Sequence, residues 1–222
     1  DVYDRIKNLP LFAAKLWGKG ELDLAGAQER SGELGDAPRT NFGYEVDSQT
    51  EEYMNVPMDE LKDTSANNFA VSEGENAAIT EVDGRNALEL KGGKSYITTG
   101  LETAGLGNDL RVKVKRTSDS TDEQILFESP YGSIKAVQKG TGQVGLSREM
   151  FDYSFNYTLP VNEWVELEFK NQQNTISLYV NGELVDTLGD GEQIEGRPML
   201  ATMMFPMAKI GSGSNAFIGY VD

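Results

Sequence analysis

Cysteine and histidine are both absent from the 222 residues. The first absence removes disulfides, thiolate nucleophiles and cysteine-ligated zinc. The second removes Ser-His-Asp triads, Cys-His pairs and imidazole-held zinc, the commonest acid–base machinery near neutral pH. Carboxylate, lysine and tyrosine chemistry remains. No run approaches the roughly 18 apolar residues that a bilayer-spanning helix needs, so membrane insertion is not expected. The opening residues lack the charged-then-apolar pattern of a signal peptide, and the chain reads as starting mid-protein. Basic charge is also scarce. Twenty Lys and Arg face 36 Asp and Glu, for a net charge of −16. That field repels phosphate backbones and anionic membranes, which argues against nucleic acid as a partner.

What is present is punctuation. Twenty-four glycines, many beside Asn or Asp, mark frequent turns between short strands. Residues 1–18 carry the one helical pattern, with Ile6, Leu9, Phe12, Ala13, Leu16 and Trp17 near helical spacing. Residues 19–50 show no sustained period and read as a linker wrapping the surface. From residue 51 to 222 the period becomes two. Leu110, Val112 and Val114 alternate with Arg111, Lys113 and Lys115, and Val165, Leu167 and Phe169 alternate with Glu166, Glu168 and Lys170. Each run is a strand with one buried and one wet face. Asn181-Gly182 is the preferred pair for a type I′ turn. It predicts a two-residue hairpin pairing Val180 with Glu183, Tyr179 with Leu184 and Leu178 with Val185, with Ile176, Leu178, Val180 and Val185 on the core face. The fold class is all-β, an antiparallel two-sheet jelly-roll sandwich with a short N-terminal helix and linker.

Three stretches in order, over roughly residues 52–222, resemble the laminin-G-like branch of the concanavalin A-like lectin/glucanase superfamily. The first is Asp63-Thr-Ser-Ala-Asn-Asn with Val82-Asp-Gly-Arg-Asn-Ala-Leu and Tyr96-Ile97. The second is Leu159-Pro-Val-Asn-Glu-Trp-Val-Glu-Leu leading into Leu178-Tyr-Val-Asn-Gly. The third is Ile210-Gly-Ser with Phe217-Ile-Gly-Tyr-Val-Asp222, a closing strand that looks cut short at Asp222. The resemblance implies a concanavalin A-like sandwich and a structural Ca²⁺, with Asp63, Asn67, Asp83 and Asp222 as oxygen donors to consider, and a structural role for Trp164. Leu9-Pro-Leu-Phe-Ala-Ala-Lys-Leu-Trp-Gly18 is similar to the last barrel helix of family 20 glycoside hydrolases, the β-hexosaminidases and lacto-N-biosidases. That likeness implies an upstream catalytic barrel as partner, a secreted or cell-wall-attached bacterial parent enzyme, and substrates containing N-acetylhexosamine.

A catalytic site within the chain is not expected. Glu45-Val-Asp47 with Glu51, Glu81-Val-Asp83, and Glu163 with Glu166 and Glu168 all miss the carboxylate spacing of sandwich-fold glucanases. The adjacent pairs Asp59-Glu60 and Asp122-Glu123 lack a barrel context. Glycan binding needs aromatic faces for stacking and Asn or Asp groups for hydroxyls. In Phe151-Asp-Tyr-Ser-Phe-Asn-Tyr-Thr158 the rings fall at alternate positions with polar residues between them. Tyr153, Tyr157, Asn156 and Asp152 are therefore the candidate carbohydrate-binding residues, with Tyr131 and Tyr179 as lesser ones. Two readings stand: these rings fill the core, or the tyrosines line a half-open groove. Correspondingly, the chain is a carbohydrate-binding accessory domain or a purely structural domain packed on the barrel. Buried rings and a flat, charged concave face would mark the structural domain. Exposed rings beside Asn or Asp would mark the binding one.

Overall fold

A computed structural model of the chain describes residues 52–104, 108–148, 151–172, 175–189, 193–194, 197–198 and 204–222. They belong to one compact unit, Glu52–Asp222. The helix expected over 1–18 and the linker expected over 19–50 lie outside the described residues.

Every regular element among the described residues is a strand. In chain order these begin with β1 (Ser72–Glu75), β2 (Ala77–Val82), β3 (Arg85–Lys91), β4 (Ser95–Thr98) and the short β5 (Thr103–Ala104). Next come β6 (Asp109–Arg116), β7 (Gln124–Ser129), β8 (Gly132–Val137), β9 (Gly145–Arg148) and β10 (Phe151–Ser154). A meander follows in β11 (Trp164–Gln172), β12 (Thr175–Val180) and β13 (Glu183–Gly189). Three two-residue strands, β14 (Gln193–Ile194), β15 (Arg197–Pro198) and β16 (Phe205–Pro206), precede β17 (Lys209–Ser212) and β18 (Ile218–Val221).

Two seven-stranded antiparallel sheets carry the architecture. The first runs β1-β4-β17-β7-β8-β9-β10 and the second β13-β12-β11-β6-β18-β3-β2. They form a jelly-roll β-sandwich, the fold class that the alternation implied. Strands β17 and β18, adjacent in sequence, insert into the middle of different sheets: β17 between β4 and β7, β18 between β3 and β6.

The period-two pattern becomes packing through register. Across the first sheet Ile97, Ile210, Phe127, Ile134, Leu146 and Tyr153 stand opposite one another in a buried row. In the second, Val165, Val114, Val221 and Leu88 do the same. Burying each such side chain contributes about 1.5–3 kcal/mol. Phe169, from the second sheet, reaches Phe155 at 5.9 Å and Phe205 at 6.5 Å between ring centroids.

The hairpin forms where expected, with both turn residues left-handed, Asn181 at φ 49° and Gly182 at φ 84°. Val180 pairs Glu183 and Tyr179 pairs Leu184, but the next pair is Leu178 with Asp186, not with Val185. A bulge after Leu184 adds one residue to β13. It brings Leu188, 7% exposed, opposite Ile176 and leaves Val185 37% exposed, so Val185 is not a core residue. The bulge also sets the Ser177 and Thr187 hydroxyls 2.8 Å apart on the outer face. At the sheet edge, Asp186 Oδ2 accepts the Asn156 backbone N–H at 2.7 Å, tying the outermost strand of the second sheet to the chain leaving β10 in the first.

Candidate functional site

On the first sheet, residues alternating with the buried row face outward and are polar. Register places Glu128, Ser133, Ser147 and Asp152 side by side across β7, β8, β9 and β10. Lys135 stands two residues beyond Ser133 on the same strand and face. Its Nζ donates to Glu123 Oε2 at 2.7 Å and Asp152 Oδ1 at 3.2 Å, and the Ser147 hydroxyl bonds that same Asp152 oxygen. Asn215 Nδ2 donates to the other Glu123 oxygen at 3.3 Å. The Lys135 side chain is only 8% exposed while that of Asp152 is 50% exposed. The ammonium is thus the fixed centre of the cluster, and Asp152 is its outward-reaching acceptor.

Further along the row, Glu128 accepts from the Ser212 hydroxyl at 3.2 Å and the Gly213 N–H at 2.8 Å. Lys209 lies 3.9 Å from Glu128 and 4.8 Å from the Tyr96 ring centroid. Beside Lys135, the Gln138 side chain crosses over Gly145, where a Cβ would fall 2.2 Å from Gln138 Nε2. That amide donates to the carbonyls of Leu146 and Tyr153 at 3.2 and 3.1 Å. These bonds fix its orientation and leave Oε1 buried without a partner.

The four residues chosen from sequence do not converge. Asp152 enters the Lys135 cluster. Tyr153 is 7% exposed in the core, opposite Leu146, because the odd positions of β10 point inward, so its ring is not part of a groove. Phe155 is wholly buried and Tyr157 packs half-buried against the core. Burial, and then the nearby Glu163, push the Tyr157 phenol above its usual pKa. Asn156 is exposed beyond the end of β10, its Oδ1 accepting from Gln143 Nε2 at 3.3 Å. Tyr153 and Phe155 are thus buried, as set out for a structural domain, whereas Phe151 and Tyr157 are only half-buried. Lys135, Glu123 and Ser147 were missed, because they come from strands and loops brought together only by register. The one local signal was the alternation of Ser133 and Lys135 with Ile134 and Ala136.

Elsewhere three outward aromatics, Trp164, Tyr179 and Tyr96, lie against cations. Trp164 donates Nε1–H to Asp83 Oδ2 at 2.8 Å, with the Arg85 guanidinium 4.6 Å above its ring. Lys115 Nζ meets the same Asp83 oxygen at 2.6 Å, and Arg85 pairs with Asp222 at 3.1 Å. The bond from Lys115, then that from Trp164, holds the Asp83 carboxyl below the usual Asp value. Trp164 is thus strand-end packing that pins the β2–β3 turn. Lys170 lies 4.6 Å from the Tyr179 ring centroid. Tyr131, at the tip of the β7–β8 turn, is 70% exposed.

The three carboxylates considered for Ca²⁺ already bond donors or cations of this chain. Asp63 accepts the N–H groups of Asn55, Ser65 and Phe69 and the Ser65 hydroxyl, Asp83 and Asp222 each face a cation, and Asn67 Nδ2 donates to the Tyr53 carbonyl. Among the described residues no three acidic side chains come together to hold a metal.

No protein-family model and no curated protein matches the chain. Among solved structures it is similar to domain 4 of AbnA, a GH43 extracellular arabinanase from Geobacillus stearothermophilus, in complex with arabinotriose. The TM-score is 0.52 and the identity 17%, over 73% of this chain and 84% of that one. The botulinum neurotoxin serotype D binding domain gives 0.47 and 16%, with 76% of this chain and 46% of that one covered. The carbohydrate-binding module CBM66 from Bacillus subtilis gives 0.33 and 12%, with 66% and 87% covered. The likeness to the arabinanase domain shows a shared fold: the chain is a β-sandwich of the architecture that this domain also uses.

Proposed function

We propose that the chain is a non-catalytic carbohydrate-binding accessory domain and that glycan docks on the outward face of its first sheet. The observation that carries this reading is the Lys135 cluster, in which one nearly buried ammonium in the middle of a polar strand row holds Glu123 and Asp152, and the Ser147 hydroxyl bonds the same Asp152 oxygen. Such a cluster offers acceptors and hydroxyls whose positions are fixed before a sugar arrives, which lowers the ordering cost of weak binding. The fold shared with an arabinanase domain solved with arabinotriose supports the same class of ligand. Lys135 bridges Glu123 and Asp152, so both carboxylates are engaged by an ammonium, which supports a binding role over a hydrolytic one. The finer reading is a domain of an extracellular or cell-wall-attached bacterial glycoside hydrolase acting on N-acetylhexosamine glycans, with its catalytic barrel upstream. Its support is the likeness of residues 9–18 to a family 20 barrel helix.

Calorimetry of the full chain against arabino-oligosaccharides, galactose, N-acetylglucosamine oligomers and lacto-N-biose tests the proposal. We expect weak binding to at least one, reduced roughly tenfold by Asp152→Ala, since hydrogen bonds to charged groups contribute about 1.5–3 kcal/mol. Silence across the panel rejects it. A second reading, a structural domain that packs on its neighbour without sugar, is favoured by the inward-facing Tyr153 and Phe155 and the ion-paired outer face. That reading takes over if the panel is silent.

A further inference from the structure

Among the described residues outside the first-sheet face, one place combines exposed aromatic surface with side-chain amide oxygens that accept no bond: the segment from Tyr53 to Phe69 that precedes β1. Tyr53 is 43% exposed, and its ring meets Phe69 edge-on, with centroids 5.3 Å apart and planes at 60°. The two rings therefore make an open corner. Asn67 Nδ2 donates to the Tyr53 carbonyl at 2.9 Å and Asn55 Nδ2 to Glu52 at 2.8 Å. Among the described residues, the Oδ1 atoms of both Asn side chains and the Tyr53 hydroxyl accept or donate no bond. The corner is also rigid. Asp63, 1% exposed, gathers the N–H groups of Asn55, Ser65 and Phe69, and the Ser65 hydroxyl bonds the Tyr53 carbonyl at 3.1 Å.

We infer that the Tyr53–Phe69 corner is a second glycan-binding subsite, taking one neutral sugar ring by C–H stacking on Tyr53 and by hydroxyl donation to the Asn55 and Asn67 amide oxygens. Three features define the chemistry. An exposed aromatic face suits the apolar C–H side of a sugar ring. Amide oxygens lacking a donor suit hydroxyl groups. The buried carboxylate that fixes the segment removes ordering cost on binding, so a shallow site can still hold a ligand. Among the described residues the other strongly exposed ring, Tyr131, has no second ring paired with it, and the outward Trp164, Tyr179 and Tyr96 lie against cations.

The inference goes beyond the first-sheet face and is separable from it. Backbone amide shifts of the full chain are followed by NMR during titration with arabinotriose and with tri-N-acetylchitotriose. The expected result is saturable movement of the Tyr53, Asn67 and Phe69 signals with one of the probes. Tyr53→Ala, with an unchanged melting temperature, should abolish that movement or weaken it about three- to tenfold, the range of an aromatic contact. Tyr53→Phe should retain it, because the ring and not the hydroxyl does the stacking. Movement confined to Ser133, Ser147 and Asp152 would overturn this subsite while leaving the first-sheet proposal standing. A Tyr53→Ala protein that binds like the parent would overturn it as well. Absence of movement anywhere with both probes would remove both readings.

Discussion

At the scale of single residues, Asp63 carries the largest local responsibility. Its burial raises the carboxyl pKa, but bonds from the Asn55, Phe69 and Ser65 N–H groups and from the Ser65 hydroxyl outweigh that, and the net shift is downward. A depressed folded-state pKa means that the carboxylate contributes stability fully above its unfolded value, near 3.9, and loses it as pH falls through the lower folded value. Asp63→Asn should therefore cost about 2–3 kcal/mol at neutral pH, since it replaces a charged acceptor of several N–H groups. The gap between parent and variant should narrow steadily on acidification below about pH 4. Urea unfolding at a series of pH values measures both, and a gap that stays constant down to strongly acid pH would contradict the assignment. In sequence, Asp63 was visible only as the first residue of Asp-x-Ser-x-Asn and was considered as a cation ligand. The fold uses it to gather N–H groups contributed by residues up to eight positions away.

Among the elements, the β2–β3 turn and the start of β11 depend on one another through Asp83. The Asp83-Gly84 turn has both residues left-handed, φ 52° and 75°, which aims the Asp83 carboxylate at Lys115 and the Trp164 indole. In a Trp17→Phe background, where Trp164 is the only indole, Asp83→Ala should shift tryptophan emission to the red and raise its acrylamide quenching, with the far-ultraviolet CD unchanged. Because the Asp83 pKa is depressed, the parent's emission should hold on acidification until below the ordinary Asp range. An unaltered spectrum in the variant would show that the indole does not depend on this bond.

Elements were also where sequence reading worked best and where its limit is clearest. Strands β6 and β11 follow directly from strict alternation, and the Asn181-Gly182 turn set the first two pairs of its hairpin correctly. The bulge after Leu184 could not be read locally, because it is the burial of Leu188 against Ile176, a tertiary gain, that selects it. The aromatic alternation of residues 151–157 was a true strand signal. Which face of β10 meets the core depends on partners elsewhere in the first sheet, so a local pattern could not assign Tyr153 inward. The Lys135 cluster draws on positions 12 and 17 residues from the lysine, and on a loop contact between Asn215 and Glu123 that spans 92. No window of sequence contains that information.

For the molecule as a whole, the excess of 36 acidic over 20 basic residues makes self-repulsion a standing cost of compaction. Screening should relieve it. Raising NaCl from about 10 to about 150 mM shortens the Debye length from roughly 30 to 8 Å and should raise the melting temperature by a few degrees. Scanning calorimetry at matched osmolarity checks this, and a fall in melting temperature would mean that exposed ion pairs such as Lys94–Glu75 outweigh the net charge. The insertion of β17 and β18 between strands made much earlier in the chain has a consequence for how the sandwich comes into being. Until Lys209–Val221 is in place, each sheet exists only as two separate halves with a gap where the central strand belongs. On a ribosome the upstream strands must therefore wait with their edges unpaired until these two arrive. This unit is expected to fold in one slow, concerted step once these two strands have emerged, and the unfilled slots at β4–β7 and β3–β6 are the places where a chaperone would be needed most.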